Sequence, residues 1–320
     1  MKQLHFRDTF ECVHWDDLTP DEQAQVLDSF MFLKLKQSGE IKGITVAAGN
    51  QQRDFISKED AASPTCSTEA ILLTSVVDAE EERDVATIDI PNAFIQTRVK
   101  ERKNQTVIRL VGKPVEMLLK LDYKKYAPYV RLNKKGQLTL LVRCLNAIYG
   151  TMMASLLCYT KFRKSLESYG FVFNPYDPCV ANKMVDGYLI TVCFHVDDCK
   201  ISHKYTRVVT SLINQLRCDY ETIFEDGSGK MTVNRGKKHK FLGMDLDFSI
   251  PKVVQVTMFE YMEGILKQFE EMELRFTGTK SCAAPEDLFK IEGDSMLLSS
   301  KQKEGEKPQK SALAYVDSVQ

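Results

Sequence analysis

The sequence has no surplus of charge, no long apolar run and no paired-cysteine motif, and each absence removes a class of protein. Its 43 Lys and Arg stand against 44 Asp and Glu, a formal net charge of −1. That balance excludes a uniformly basic nucleic-acid coat, while a local basic surface lining a cleft stays open. The longest mainly apolar stretch, Tyr188 to Phe194, falls far short of the ~20 residues a membrane-spanning helix needs and suits a buried strand. His, Asp, Glu and Arg interrupt the N-terminal residues, so no signal peptide is read there. The nine cysteines are odd in number and scattered, with no CxxC and no Cys/His cluster. A zinc ribbon and a disulfide framework are thereby excluded, and a reducing, intracellular and cytoplasmic setting is expected. A phosphate loop is missing too. Gly227-Ser228-Gly229-Lys230 carries Phe224 where the motif needs its first Gly, and Met231 where it needs Ser or Thr, so it reads as a polar turn.

What is present is an ordinary globular composition, 43% hydrophobic and 27% charged over 320 residues, enough for one large or two ordinary domains. Thr19, Pro20 and Glu22 form a capping signal for a helix over 17–30. Residues 31–48 alternate weakly around a turn at Gly39-Glu40. Helical spacing marks 66–82, 152–168, 205–218 and 259–274, the last with Tyr261, Ile265, Leu266 and Phe269 on one face. Strands are expected over 84–90, 180–184, 188–195, 240–248 and 252–258, and short strands with loops over 115–147. His5, His14, His203 and His239 have no ligand spacing and read as surface residues. Interleaved strands and helices without a regular βαβ period indicate an α+β fold.

Two acidic segments stand out against this background. Asp89 closes an apolar strand in Thr87-Ile88-Asp89-Ile90-Pro91-Asn92-Ala93-Phe94, and Asp197-Asp198 follow the apolar run that ends at Phe194-His195-Val196, as at the tip of a hairpin. Brought together, such carboxylates can hold two divalent cations about 4 Å apart, the spacing of phosphoryl-transfer metal sites.

Five stretches, in order, resemble the reverse transcriptase of Ty1/copia-type retrotransposons. They are Lys42 to Gln52 (KGITVAAGNQQ), Asp89 to Gln96 (DIPNAFIQ), Ala147-Ile148-Tyr149-Gly150, Gly170-Phe171 through Asp177-Pro178-Cys179 to Val196-Asp197-Asp198, and Phe241-Leu242-Gly243. The resemblance spans roughly residues 20–285. It implies a right-hand polymerase fold whose antiparallel palm sheet is flanked by helices. Fingers would occupy 1–84, the palm 85–250 with a fingers segment inserted at about 97–147, a partial thumb 251–290, and a polar, disordered tail 291–320. The resemblance further implies a fragment of a Pol or Gag-Pol polyprotein, whose RNase H and integrase parts would be partners.

By the same resemblance, Asp89 and Asp197 would be the bridging ligands of two Mg²⁺ or Mn²⁺ ions, Asp198 a more peripheral carboxylate, and the Ile90 carbonyl an additional ligand. Phe94 would lie under the sugar of a dNTP and exclude a 2′-hydroxyl. Lys42 would meet triphosphate oxygens, and His195 would stack under the primer end. Lys237, Lys238 and Lys240 would track the phosphates of an RNA/DNA template–primer duplex. Three departures fit either a divergent branch or a decaying copy. The family carries Arg where this chain has Ile44, Lys-Gln where it has Met152-Met153, and Tyr where it has His195. Methionine cannot make the hydrogen bonds of glutamine. The leading reading is RNA-directed DNA synthesis by a two-metal mechanism. The alternative is a non-catalytic nucleic-acid-binding relic, which would bind duplex without metal-dependent synthesis.

Overall fold

A computed structural model describes residues 1–35, 41–225 and 227–271. Strand β1 (Phe10–Cys12) leads to the short helix Pro20–Ala24. The expected capping box is formed: the Glu22 N–H donates to Thr19 Oγ1 at 3.2 Å and the Thr19 N–H to Glu22 Oε2 at 3.0 Å. The helix stops at Ala24 instead of reaching residue 30, because Leu27, 1% exposed, begins β2 (Leu27–Leu35). Strand β2 pairs antiparallel with β3 (Ile41–Ala47), so pairing across the sheet overrides the local helical signal. The expected turn at Gly39-Glu40 lies outside the described residues.

After the helix Thr68–Glu80 come β4 (Asp84–Asp89), β5 (Val107–Val111), β6 (Arg131–Leu132) and β7 (Leu138–Cys144). Residues 115–126, expected as strands and loops, fall in the helices Lys113–Leu121 and Tyr123–Tyr126. Pro114 in the first turn and Val115 and Leu118 buried three residues apart are the local reason. The helix Ala154–Ser168 precedes β8 (Val172–Phe173), β9 (Val180–Val185), β10 (Tyr188–His195) and β11 (Asp198–His203). The helix Thr206–Tyr220 is followed by β12 (Thr232–Arg235), β13 (Lys238–Phe241), β14 (Met244–Asp247) and β15 (Gln255–Thr257).

These strands make two large sheets. One has the order β1-β7-β5-β2-β3 with β6 beside β7, and its β2–β5 pair is parallel. The other, β12-β4-β11-β10-β9-β8, is antiparallel throughout. Each sheet has its own core. Leu27, Ile108, Leu110, Leu140 and Val142 gather in the first, and Ile88, Phe162, Val192, Phe194, Ile201 and Leu216 in the second. The chain passes from the second core to the first between Ala93 and Ile95, and returns between Ile148 and Cys158.

Side-chain alternation divides the antiparallel sheet into two faces. Phe194 of β10 meets Phe162 of the helix Ala154–Ser168 edge to face at 4.8 Å, and Phe162 meets Tyr220 of the helix Thr206–Tyr220 at 5.8 Å. On the opposite face, Thr74 and Asp78 of the helix Thr68–Glu80 reach Cys193 and Lys200. Leu72, Leu73 and Val76 of that helix, apolar at helical spacing, are exposed.

A second unit begins at Thr257, and its described helix is Phe259–Glu271. Tyr261, Ile265 and Leu266 lie on that helix, whereas the Phe269 side chain and residues 272–320, with the expected tail, fall outside the described residues. Among the described residues no helix is long and apolar enough to cross a membrane.

Candidate active site

Asp89 is the last residue of β4 and is exposed, while Val85, Ala86, Thr87 and Ile88 before it are buried. Asp198 opens β11. The register sets Asp198 directly opposite Asp89 on one side and opposite His195 on the other. The three side chains therefore stand in a row on one face, at one end of the sheet.

Asp197 is the second residue of the two-residue turn between β10 and β11. Its carbonyl accepts the Ile90 N–H at 2.9 Å, which ties the turn to the residue after Asp89. Val196, the first turn residue, has φ 58°. Hairpin turns favour glycine at a positive φ, and a β-branched residue held there costs roughly 1–3 kcal/mol. Strand pairing and the Ile90 bond hold a turn that its own sequence disfavours.

The charges at this end repel one another. Burial, and then the charges of Asp197 and Asp89, push the Asp198 carboxyl up to about 6. The same two carboxylates act with burial to push the Tyr149 phenol up to about 12. Burial and Asp197 push the Cys158 thiol up to about 11. Tyr149 and Cys158 therefore feel the charge of this end of the sheet, although neither was among the residues expected at the site.

Tyr149 also reaches Phe94, which is half-buried and meets its ring edge to face with centroids 4.6 Å apart. The Tyr149 carbonyl accepts the Ala47 N–H at 2.8 Å. A Cβ at Gly150, whose φ is 88°, would fall 2.2 Å from the Ala47 oxygen, and one at Gly49 would fall 1.9 Å from the Gly150 oxygen. Glycine at both positions is what lets the stretches at 42–52 and 147–150 touch. Gln52 strengthens the contact, its Oε1 accepting the Met152 N–H at 2.9 Å and its Nε2 donating to Thr106 Oγ1 at 3.2 Å. Met153, where the copia pattern has glutamine, lines a cavity of about 350 Å³ with Gln52, Phe55 and Arg102.

Of the residues proposed from sequence, Asp89, Ile90, Asp197, Asp198 and His195 come together. Ile90 is 2% exposed and contributes its N–H to the Asp197 carbonyl. His195 is half-buried, and its Nδ1 has no hydrogen-bond partner. Lys42 sits on β3 opposite Lys34, and its side chain lies outside the described residues.

Lys237, Lys238 and Lys240 are exposed at the β13–β14 hairpin. Lys238 pairs with Asp247 at 3.1 Å, and Lys240 lies opposite Asp245, so acidic neighbours offset much of this basic strip. Phe241-Leu242-Gly243, expected as a strand, contains the turn of this hairpin, with Leu242 at φ 50° and Gly243 at φ 79°.

Two of the four histidines read as surface residues are buried. His203 Nδ1 accepts the Tyr205 N–H at 3.0 Å, and its Nε2 meets the Val185 carbonyl at 3.2 Å. His239 meets Thr87 Oγ1 at 3.3 Å and the Gly236 carbonyl at 3.0 Å, which joins the β13–β14 hairpin to β4. Strand alternation carries both inward, where two hydrogen bonds each compensate their burial.

Among the described residues no three His, Cys, Asp or Glu side chains form a ready-made metal cage. The three carboxylates are neighbours by register, with mutual repulsion rather than convergence. Their chemistry nonetheless fits hard divalent cations, which take carboxylate oxygens and would offset the burial and neighbouring charge that raise Asp198.

No family model matches the chain, and no curated protein matches it. Solved structures do resemble it. Apo telomerase from Candida tropicalis is 12% identical with a TM-score of 0.41, covering 80% of this chain and 50% of that one. Telomerase from Candida albicans, in complex with a fragment of telomeric RNA, is 10% identical with a TM-score of 0.39, covering 85% and 54%. A foamy viral protease–reverse transcriptase in complex with double-stranded DNA is 10% identical with a TM-score of 0.42, covering 86% and 35%. The chain thus spans about half the length of each telomerase chain, and less of the viral one.

Proposed function

We propose that this chain is the fingers and palm of a template-directed nucleic-acid polymerase, an RNA-directed DNA polymerase of Ty1/copia type acting on a template–primer duplex and dNTPs. The observation that carries the reading is the pairing of Asp89 with Asp198 across β4 and β11, with Asp197 at the turn bonded back to Ile90. Asp89, Asp197 and Asp198 would hold Mg²⁺ or Mn²⁺. The ions, when bound, lower the pKa of an attacking hydroxyl and neutralise charge on the transferring phosphoryl group. The protein's own contribution is position. The Ile90 N–H fixes the turn, β4 and β11 fix the lateral spacing, and Tyr149 backs the Phe94 ring where a sugar would lie. The contact between the stretches at 42–52 and 147–150 further supports the polymerase reading, because two separate parts of the sequence resemblance meet in space.

The test is primer extension on an RNA template with dNTPs and Mg²⁺, comparing the chain with Asp197→Asn. Extension that disappears in a folded Asp197→Asn variant supports the reading. Extension that survives it would overturn the assignment of this site. Phe94→Ala is expected to admit rNTPs, lowering deoxy selectivity by roughly 10–200-fold, the scale on which a shaped pocket discriminates small groups. Unchanged selectivity removes Phe94 from the sugar site.

The second reading, a binding relic, is favoured by Met153 at the cavity beside Gln52, where a thioether replaces the copia pattern's glutamine and cannot make its hydrogen bonds. It predicts duplex binding with no extension by either protein. Met153→Gln separates the two, because restored extension marks a polymerase core lacking one contact.

A further inference from the structure

On the face of the antiparallel sheet turned away from the carboxylates, a cavity of about 260 Å³ lies between β9, β10 and the helix Thr206–Tyr220. Ile190 of β10 stands directly opposite Lys183 of β9. By alternation both share a face with Phe194, whereas His195 and Asp198 lie on the other. Ile190 and His195 are also separated by roughly 17 Å of strand. Four buried apolar side chains, Phe171, Ile190, Val208 and Leu212, wall the cavity. Its charged lining residues are Lys183 and Arg207, and no carboxylate is among them.

The two cations stand in different situations. Arg207 is exposed and matched: its Nη2 pairs with Asp186 at 2.7 Å, and its guanidinium lies 5.2 Å from the Tyr205 ring centroid. Lys183 is half-buried, and among the described residues it has no carboxylate partner. Its Nζ donates to the Tyr169 carbonyl at 2.7 Å. The end of the helix Ala154–Ser168 explains that bond. Gly170, at φ 85°, turns the chain, and the Phe171 N–H closes back on the Leu166 carbonyl at 3.0 Å. The Tyr169 carbonyl is thereby left for the lysine, whose stem lies against Gly170. A helix C-terminus offsets about half a charge, and one of the three ammonium donors is used. Part of a charge and two donors remain beside apolar walls, where an unmatched charge is unfavourable.

We propose that this cavity is a binding site for a compact amphipathic carboxylate, with the carboxylate on Lys183 and the apolar body against Phe171, Ile190, Val208 and Leu212. The two oxygens of a monocarboxylate match the two remaining donors. A phosphate dianion would bring a second charge, and Arg207 is already held by Asp186. The volume lies just below the ~300–1,000 Å³ of sites for drug-sized ligands, so the body is one or two rings across rather than a nucleotide. Ser211 and Gln215, at the exposed rim, offer a hydroxyl and an amide to a ligand's edge. This inference does not depend on the polymerase reading.

The test titrates the full chain with sodium 1-naphthoate by isothermal calorimetry. 1-Naphthamide serves as the uncharged match, and inorganic phosphate as the anion without an apolar body. The expected result is one saturable naphthoate site with a Kd of ~1 mM or tighter. The amide should bind ~10-fold or more weakly, the scale of losing a hydrogen bond to a charged group, and phosphate should give no saturable heat. Lys183→Met keeps an unbranched stem and should weaken naphthoate to the level of the amide. Ser211→Trp, at an exposed rim position, should block the site without disturbing the buried walls. Naphthoate should raise the melting temperature of the parent chain and leave that of Ser211→Trp unchanged. Absence of saturable naphthoate binding by the folded parent would overturn the proposal. So would equal affinity for the amide, full binding by a folded Lys183→Met or Ser211→Trp variant, or phosphate binding as tight as naphthoate.

Discussion

Asp198 and Lys200 stand two residues apart on β11, on one face of the sheet, in opposite surroundings. Lys200 is 1% exposed and donates to Asp78, itself buried on the helix Thr68–Glu80. Arg83 lies 3.7 Å from the other Asp78 oxygen, bonds Glu81 at 2.9 Å and donates to Thr191 Oγ1 at 3.1 Å. Thr191 in turn donates to Asn182 Oδ1 at 2.8 Å. Every charge in that cluster has a counter-charge. At the other end, Asp89, Asp197 and Asp198 gather like charge, and burial, then the charges of Asp197 and Asp89, push the Asp198 carboxyl up to about 6. Matched charge inside a sheet joins helix to strand. Like charge gathered at one end and held there by strand register is what a cation or a proton would relieve.

The largest expected effects come from removing one carboxylate at each end. Asp197→Asn should lower primer extension by ~10²–10³-fold or more, the scale of losing one electrostatic stabiliser in an active site, while leaving the urea midpoint nearly unchanged. Asp78→Asn should do the reverse. It leaves Lys200 buried without its partner, and breaking a buried pair in this way costs about 3–5 kcal/mol in a urea melt. If Asp78→Asn barely shifts the midpoint while Asp197→Asn unfolds the chain, the division between structural and functional charge is reversed.

The two ends also differed in how far they could be read in advance. The carboxylate end was legible because its signals are local: an apolar strand closing on Asp89, an apolar run closing on Asp197-Asp198, and a two-residue turn between strands. Pairing those strands follows from antiparallel topology. The structural end was not legible, since Asp78, Arg83 and Lys200 look like surface charges when only neighbours in sequence are visible. His203 and His239 were misread for the same reason, because their partners Tyr205, Val185, Thr87 and Gly236 are set by tertiary placement. Tyr149 belonged to a recognised stretch, yet nothing local indicated that its ring would meet Phe94. The fold shows the same limit. Thr19 and Glu22 announced where a helix starts, but where it stops was decided by β2 pairing with β3.

A smaller effect separates two turns of the same sheet. Asp186-Gly187, between β9 and β10, has φ values of 50° and 81°, with glycine in its second position. Val196-Asp197 asks valine to adopt φ 58°. Val196→Gly should raise stability by about 1 kcal/mol, the relieved strain less the entropy glycine loses on folding. Gly187→Val should lower it by a similar amount. Urea midpoints of the two variants check the contrast, and equal shifts of one sign would mean that Val196 is not strained.

The smallest effect is the one that tests the surroundings of Asp198 directly. The folded-state value of Asp198, about 6, lies above the ordinary value of 3.8. Folding therefore favours the neutral carboxyl. The stability this confers is fully present below pH 3.8 and is lost as pH rises through about 6. Asp198→Asn is neutral throughout. Its melting temperature should match that of the parent chain at the acid end of this window and exceed it above the window. Because Asp198 is only half-buried, solvent screening keeps the difference to ~1 kcal/mol or less. Millimolar Mn²⁺ should then invert the order above pH 7, because a divalent ion between the carboxylates stabilises the parent chain and has one charged ligand fewer in the variant. Parallel pH curves would mean that neither burial nor the charges of Asp197 and Asp89 raise Asp198. An inversion would show that the repulsion at this end of the sheet is what a metal ion relieves.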